Sequence, residues 1–173
     1  MPRYVAFLRA INVGGHMVKM DQLREIFAEL GLSGVETFIA SGNVLFESRA
    51  KPPALESRIE GALEQALGYP VPTFVRTFPE LQRIVDELPA YDAIDLAQVC
   101  FLKAAPATAA QRALKALETP DFTFHFGARE FYWMLRVRQS VLRVNPKHLE
   151  RAAGGPYTAR SINTVERLLL KSS

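Results

Sequence analysis

The sequence predicts an α+β protein made of two tandem halves, each with a β-α-β-β-α-β-type order, the second ending in a C-terminal helix. Three observations carry this expectation. Short runs of aromatic and β-branched residues alternate with stretches whose apolar residues recur at three and four positions. Glycine, proline and asparagine punctuate the junctions between them. The element order of the first half also begins again in the second.

In the first half, residues 4–9 form a short apolar run rich in strand formers, and Asn12-Val13-Gly14-Gly15-His16 punctuates it. Met20, Leu23, Ile26, Phe27 and Leu30 then recur at helical spacing. Asp21 suits the positive end of that helix, and Gly31 stands where a C-terminal cap belongs. Strands follow at residues 35–40 and 44–46. Ser41-Gly42-Asn43 between them reads as a tight hairpin connection, with glycine or asparagine supplying positive φ. Pro53 opens a second helix that buries Leu55, Ile59, Leu63 and Leu67 and ends at Gly68. Residues 71–77 close the series as a strand. This order is the ferredoxin-like pattern.

Thr77 and Glu80 have capping-box spacing ahead of Leu81, Ile84, Val85 and Leu88, a helix that links the halves and precedes Pro89. Residues 98–103 predict a strand. Thr108 and Gln111 give another capping box, ahead of a helix carrying Ala110, Ala113, Leu114 and Leu117. Residues 122–126 and 130–136 predict an aromatic hairpin around Gly127-Ala128. Beyond this repeat of β-α-β-β, residues 141–144 suggest a further strand. Residues 146–153 suggest a short helix, broken by Gly154-Gly155-Pro156, and residues 161–171 a terminal helix capped by Ser161. The expected organisation is one ferredoxin-like half over residues 1–78, a linking helix and loop over 79–97, and a second half with C-terminal helices over 98–173.

With 173 residues, of which 49% are hydrophobic and 23% charged, the chain has an ordinary globular composition. At this length folding buries about 70% of the unfolded chain's surface, so a self-sufficient core is expected. The single cysteine, Cys100, argues against a disulfide scaffold. No stretch approaches the roughly 20 apolar residues of a membrane span. The start, Met-Pro-Arg-Tyr, lacks the apolar run of a signal peptide, so a cytoplasmic protein is expected. A net charge of +3 and a pI of about 9.2 suit anionic ligands without demanding nucleic acid.

Familiar catalytic signatures are missing. The sequence has no P-loop, no G-x-G-x-x-G, no G-x-S-x-G and no H-E-x-x-H. His16, His125 and His148 share no metal-ligand spacing, so neither metal nor cofactor is expected. His125 reads as a half-buried structural residue and Cys100 as a small buried hydrophobe. Phe131, Tyr132 and Trp133 read as core, or as a candidate interface edge.

Three segments carry polar chemistry. Arg9, Asn12, Gly14, Gly15, His16 and Lys19 gather donors and permissive backbone where a strand leaves a sheet, an arrangement suited to phosphate or carboxylate. The same loop also reads as a tight connection with Asn12 bonding its own backbone. The second segment is Ser41-Gly42-Asn43. In the third, Arg160 precedes a helix start and Asn163 lies in the first turn, which suits an anion or a simple cap. A different class of reading uses Tyr4, Phe7 and Phe46 as a stacking platform for single-stranded nucleic acid. Tyr4 and Phe7 point to opposite faces, however, and Gly42 to Phe46 contains one aromatic and no basic residue, so packing explains them better.

These residues resemble a known family. Leu8-Arg9-Ala10-Ile11-Asn12-Val13-Gly14-Gly15, then Met20 and Leu23-Arg24, then Ser41-Gly42-Asn43-Val44-Leu45-Phe46, are similar to the motifs L-R-G-I-N-V-G-G, M-x-x-L-R and S-G-N-V-x-F of the bacterial domain of unknown function 1697. Residues 158–165 resemble that family's T-x-R-N-W-N-T-V. Ala10, Ala40 and Ser161-Ile162 depart from the usual residues. The resemblance implies an α+β fold of two ferredoxin-like halves and no established activity, substrate or cofactor. It also groups Arg9, Asn12, Ser41, Asn43, Arg160 and Asn163 as motif positions. The leading expectation is a small anionic ligand, phosphate-bearing for instance, in a cleft between the halves. Arg9 and Arg160 would supply charge, and the Gly14-Gly15 backbone with Asn12, Asn43 and Asn163 would orient the ligand. An enzyme using Ser41 and His16 in that cleft, and a single-strand nucleic-acid module, are the alternatives.

Overall fold

Alternation along one short strand organises the first sheet. In β1 (Arg3–Leu8), Tyr4, Ala6 and Leu8 face a helix-covered core, while Val5 and Phe7 are buried on the opposite face. The computed structural model describes residues 1–9, 18–90 and 95–171. They divide into a unit of Met1–Gln82 with Leu168–Ser173 and a unit of Arg83–Arg167. The first unit holds an antiparallel sheet in the order β2-β3-β1-β4, with β2 at Ser33–Phe38, β3 at Ala40–Glu47 and β4 at Thr73–Thr77. Helices α1 (Met20–Glu29) and α2 (Pro52–Leu67) cover one face through Leu23, Phe27, Leu55, Ile59 and Leu63, all fully buried. Burying each such side chain contributes about 1.5–3 kcal/mol. Gly68 ends α2 at φ 82°, the left-handed conformation that glycine adopts without a Cβ penalty.

The hairpin turn expected at Ser41-Gly42-Asn43 is not where the chain reverses. All three residues lie within β3, and Asn43 pairs with Phe7 of β1. The reversal falls at Ile39, between the paired residues Phe38 and Ala40. Non-local pairing to β1 outweighs the local turn signal, and the Asn43 amide fixes the new corner by donating to Phe38 O at 3.1 Å. Ile39 therefore carries a φ of 67°, unusual for a β-branched residue and costing on the order of 1–3 kcal/mol. Since Ile39 is 48% exposed, little packing is lost by removing its side chain. Ile39→Gly is expected to raise stability by about 1 kcal/mol in urea melts. A lower midpoint for the variant would contradict this account of the corner.

The second unit repeats the strand order. Its antiparallel sheet runs β6-β7-β5-β8, with β5 at Leu96–Phe101, β6 at Phe122–Phe126, β7 at Glu130–Leu135 and β8 at Thr158–Ser161. Helices α4 (Thr108–Leu117) and α5 (Pro146–Ala153) supply Leu114, Leu149 and Ala153 to the core under Cys100, Phe124, Phe131 and Trp133. Helix α3 (Phe78–Asp86) begins in the first unit and ends in the second; α6 (Ile162–Leu169) does the reverse. Among the described residues, no helix is long and apolar enough to cross a membrane.

Three further expectations need correction. Residues 141–144 are not a strand: a single 3-10 turn, Gln139–Val141, leads into irregular chain, and Leu142 and Val144 pack against the core. The fourth strand of this sheet is instead β8, paired antiparallel to β5. Thr108 and Gln111 form no capping box. The N-cap is Ala107, Thr108 is already helical, and Gln111 Nε2 donates to Pro106 O. The box at Thr77 and Glu80 does form, with Thr77 N donating to Glu80 Oε1 at 3.2 Å and Glu80 N to Thr77 Oγ1 at 3.1 Å. Finally, Phe131, Tyr132 and Trp133 are not an interface edge, because β7 is an interior strand and all three are buried.

Candidate functional site

The motif residues fall into two groups, one in each unit. In the first, Arg9 follows β1 directly and donates its backbone N–H to Pro72 O at 3.0 Å. The antiparallel pairing of Phe7 with Asn43 brings Ser41-Gly42 to the same end of the sheet as Leu8-Arg9. Asn43 is buried, and its amide is used on Phe38 O. Asn12, Gly14, Gly15 and His16 lie outside the described residues. Tyr4 and Phe46 stack in the core at 5.6 Å between centroids, with the Tyr4 hydroxyl donating to Ala50 O. Phe7 is buried on the opposite face, so none of the three aromatics is exposed for stacking a base.

In the second unit, Arg160 lies on β8 opposite Val99. Its Nη1 donates to Thr158 Oγ1 at 2.8 Å and to Ala159 O at 2.9 Å. Burial draws the guanidinium down to a pKa of about 10, well below its ordinary value. β8 runs straight into α6, and Ser161 Oγ accepts from Thr164 N at 3.2 Å. Ser161, a departure from the family's asparagine, thus works as the helix cap. Asn163 is exposed in the first turn of α6.

Two buried ionic clusters escaped the sequence reading. In the first unit Arg76 is completely buried on β4, with Nη1 3.6 Å from Glu56 Oε2 and Nε 4.0 Å from Glu80 Oε2. The carboxylates also satisfy the outward N–H groups of this edge strand. Glu60 accepts from Thr73 N at 3.1 Å, Glu56 from Val75 N at 2.8 Å and Glu80 from Thr77 N at 3.2 Å. In the second unit the buried Glu130 holds Arg83 Nη2 at 2.7 Å, and Arg83 also reaches Glu87 at 2.6 Å. Burial pulls the Arg83 pKa down, but its hydrogen bonds to Glu130 and Glu87 outweigh that and raise it. A Cβ at Gly127 would stand 1.7 Å from Glu130 Oε2, so only glycine fits there without a shift. The sequence signal for both clusters is one charged residue inside an apolar strand pattern, Arg76 in residues 73–77 and Glu130 at the head of β7.

Residues 1–132 match the family described as Protein of unknown function (DUF1697). The chain belongs to that family. The matched stretch contains Arg9, Ser41, Asn43, Arg76, Arg83 and Glu130 and ends before Arg160 and Asn163. The fold of this DUF1697 protein is similar to that of the conserved bacterial protein SP0830 from Streptococcus pneumoniae. The likeness has a TM-score of 0.80 at 22% identity and covers 99% of each chain. No curated protein matches the sequence.

Three further titratable side chains of the DUF1697 protein, Cys100, His125 and Tyr132, stand in structural settings. Cys100 is fully buried in the core of the second unit, and burial pushes its thiol pKa up, away from the reactive thiolate. His125 on β6 lies 3.4 Å from Thr123 Oγ1; burial, then the charge of Lys115, lowers its pKa. The Tyr132 hydroxyl donates to Ile84 O at 2.6 Å, and burial raises its pKa to about 12. Among the described residues, no group of three or more His, Cys, Asp or Glu is placed to hold a metal ion.

Proposed function

We propose that this protein binds a small anionic ligand, phosphate-bearing in the simplest case, with Arg160 supplying the charge in the second unit and Arg9 offering the same chemistry in the first. The setting of Arg160 carries the reading. Arg160 is half-buried, its Nη1 is held by a hydroxyl and a carbonyl, and a guanidinium fixed in this way is a strong, oriented donor for the oxygens of a phosphate or carboxylate. The start of α6 follows at once and adds backbone N–H donors with the favourable end of a helix dipole, and Asn163 adds an exposed amide. Asn12, Gly14, Gly15 and Ser41 extend the proposal in the first unit, where Asn43 contributes by holding the corner at Phe38. We read each unit as a ferredoxin-like half, supported by the shared antiparallel strand order. A cytoplasmic setting agrees with a lone, buried thiol.

The test is a thermal melt series with inorganic phosphate. Saturation to a hundred times the dissociation constant adds about 2.7 kcal/mol of apparent stability. The wild-type melting temperature is expected to rise with phosphate, Arg160→Lys to keep part of the rise and Arg160→Met to lose it. An equal rise in Arg160→Met, measured against its own phosphate-free melt, would refute the assignment.

A further inference from the structure

The surplus positive charge of this chain is concentrated in one place. Residues 136–151 contain Arg136, Arg138, Arg143, Lys147 and Arg151 but a single acid, Glu150. That surplus of four exceeds the net charge of +3 for the whole protein. All five cations are exposed, and none forms an ion pair among the described residues. Several cations elsewhere in the protein have a carboxylate beside them: Arg3 and Lys171 bond Glu36, Arg24 bonds Asp21, and Arg83 bonds Glu130. The basic stretch lacks such partners.

The same stretch walls a cavity of about 220 Å³. Leu117 from the end of α4, Phe122 from the start of β6, and Leu142 and Val144 from the chain before α5 give it apolar walls. Arg143 and His148 add cationic and hydrogen-bonding groups to the lining. Within the lining Asp121 is the one acid and Arg143 the one arginine or lysine, and the other four cations of the stretch lie outside it. Apolar walls beside unpaired positive charge are complementary to an amphipathic anion rather than to a bare one.

We propose that this cavity, wholly within the second unit, binds an anion with an apolar body, of the class of medium-chain or aromatic carboxylates. Its head group would meet Arg143, and its body would lie on Phe122 and Leu142. The site is separate from Arg160 and does not depend on the phosphate reading.

The molecule supplies its own reporter. Trp133 is the only tryptophan, and its ring meets the ring of Phe122 edge-on, with centroids 6.1 Å apart and planes at 85°. A body seated on Phe122 therefore changes the surroundings of Trp133. Octanoate is the probe, titrated against the full chain while Trp133 emission is followed, with octanol, octylamine and inorganic phosphate run in parallel. Octanoate is expected to give a saturable change, and the other three none. Arg143→Met should weaken octanoate at least tenfold, the loss expected for a hydrogen bond to a charged group. Arg160→Met should leave octanoate binding intact, which separates this site from the phosphate reading. Equal binding of octanol, or an undiminished affinity in Arg143→Met, would overturn the proposal. Failure of octanoate to give a saturable change would also overturn it, and salt-sensitive binding of a single-stranded oligonucleotide in its place would make the basic stretch a polyanion surface.

Discussion

Replacing Arg83 with methionine is expected to destabilise the second unit by about 3–5 kcal/mol, the range for breaking a buried ion pair from one side. Glu130 is completely buried, and its Oε1 lies 2.7 Å from Arg83 Nη2. Its Oε2 has no hydrogen-bond partner among the described residues. Without Arg83 the carboxylate keeps its desolvation cost and loses its counter-charge. The exposed partner Glu87 adds little, since solvent screens it. Arg83→Met combined with Glu130→Gln should recover much of the loss, because an uncharged amide is easier to bury than an unpaired carboxylate. Guanidinium melts of the two single variants and the double variant make the cycle. A loss under about 1 kcal/mol for Arg83→Met would show that Glu130 finds other compensation.

Glu56→Ala is expected to cost about 3 kcal/mol or more, for two reasons acting together. It removes the nearer counter-charge of the completely buried Arg76, leaving Glu80 at 4.0 Å. It also orphans the Val75 N–H on the edge of β4, to which Glu56 Oε2 is bonded at 2.8 Å. Glu56→Gln retains an acceptor for that N–H and should be milder by about 1 kcal/mol. Amide exchange at Val75 separates the contributions: it should accelerate strongly in Glu56→Ala and only modestly in Glu56→Gln. Equal stability losses in the two variants would contradict a role for the edge hydrogen bond.

What could be read from the sequence was whatever is settled locally. Leu55, Ile59 and Leu63 lie on one face of α2 because helical spacing leaves no other arrangement, and all three are buried. Pro146 and Gly154 bracket α5 through local backbone geometry, and the neighbouring Asn145 side chain caps its start by accepting from Lys147 N. Features decided by distant partners were illegible. The corner at Ile39 arises because Asn43 pairs with Phe7, against the turn preference of Gly42-Asn43. β8 has only four residues, with Arg160 among them, and becomes a strand because β5 offers it an edge. Arg76 and Glu130 resemble surface residues in one dimension. Their significance appears only once strands and helices from elsewhere in each unit close over them. Arg9 and Arg160 were legible as motif positions, while the solvation and neighbours of Arg160 required the fold.

An anion proposed to meet Arg160 should perturb the Arg160 guanidinium Nε–H resonance, which can be followed while inorganic phosphate is titrated into the protein at constant ionic strength. A saturable shift, reproduced with the same midpoint in the thermal melts and absent with chloride, is the predicted result. A resonance that stays in place while phosphate still raises the melting temperature would contradict the proposal.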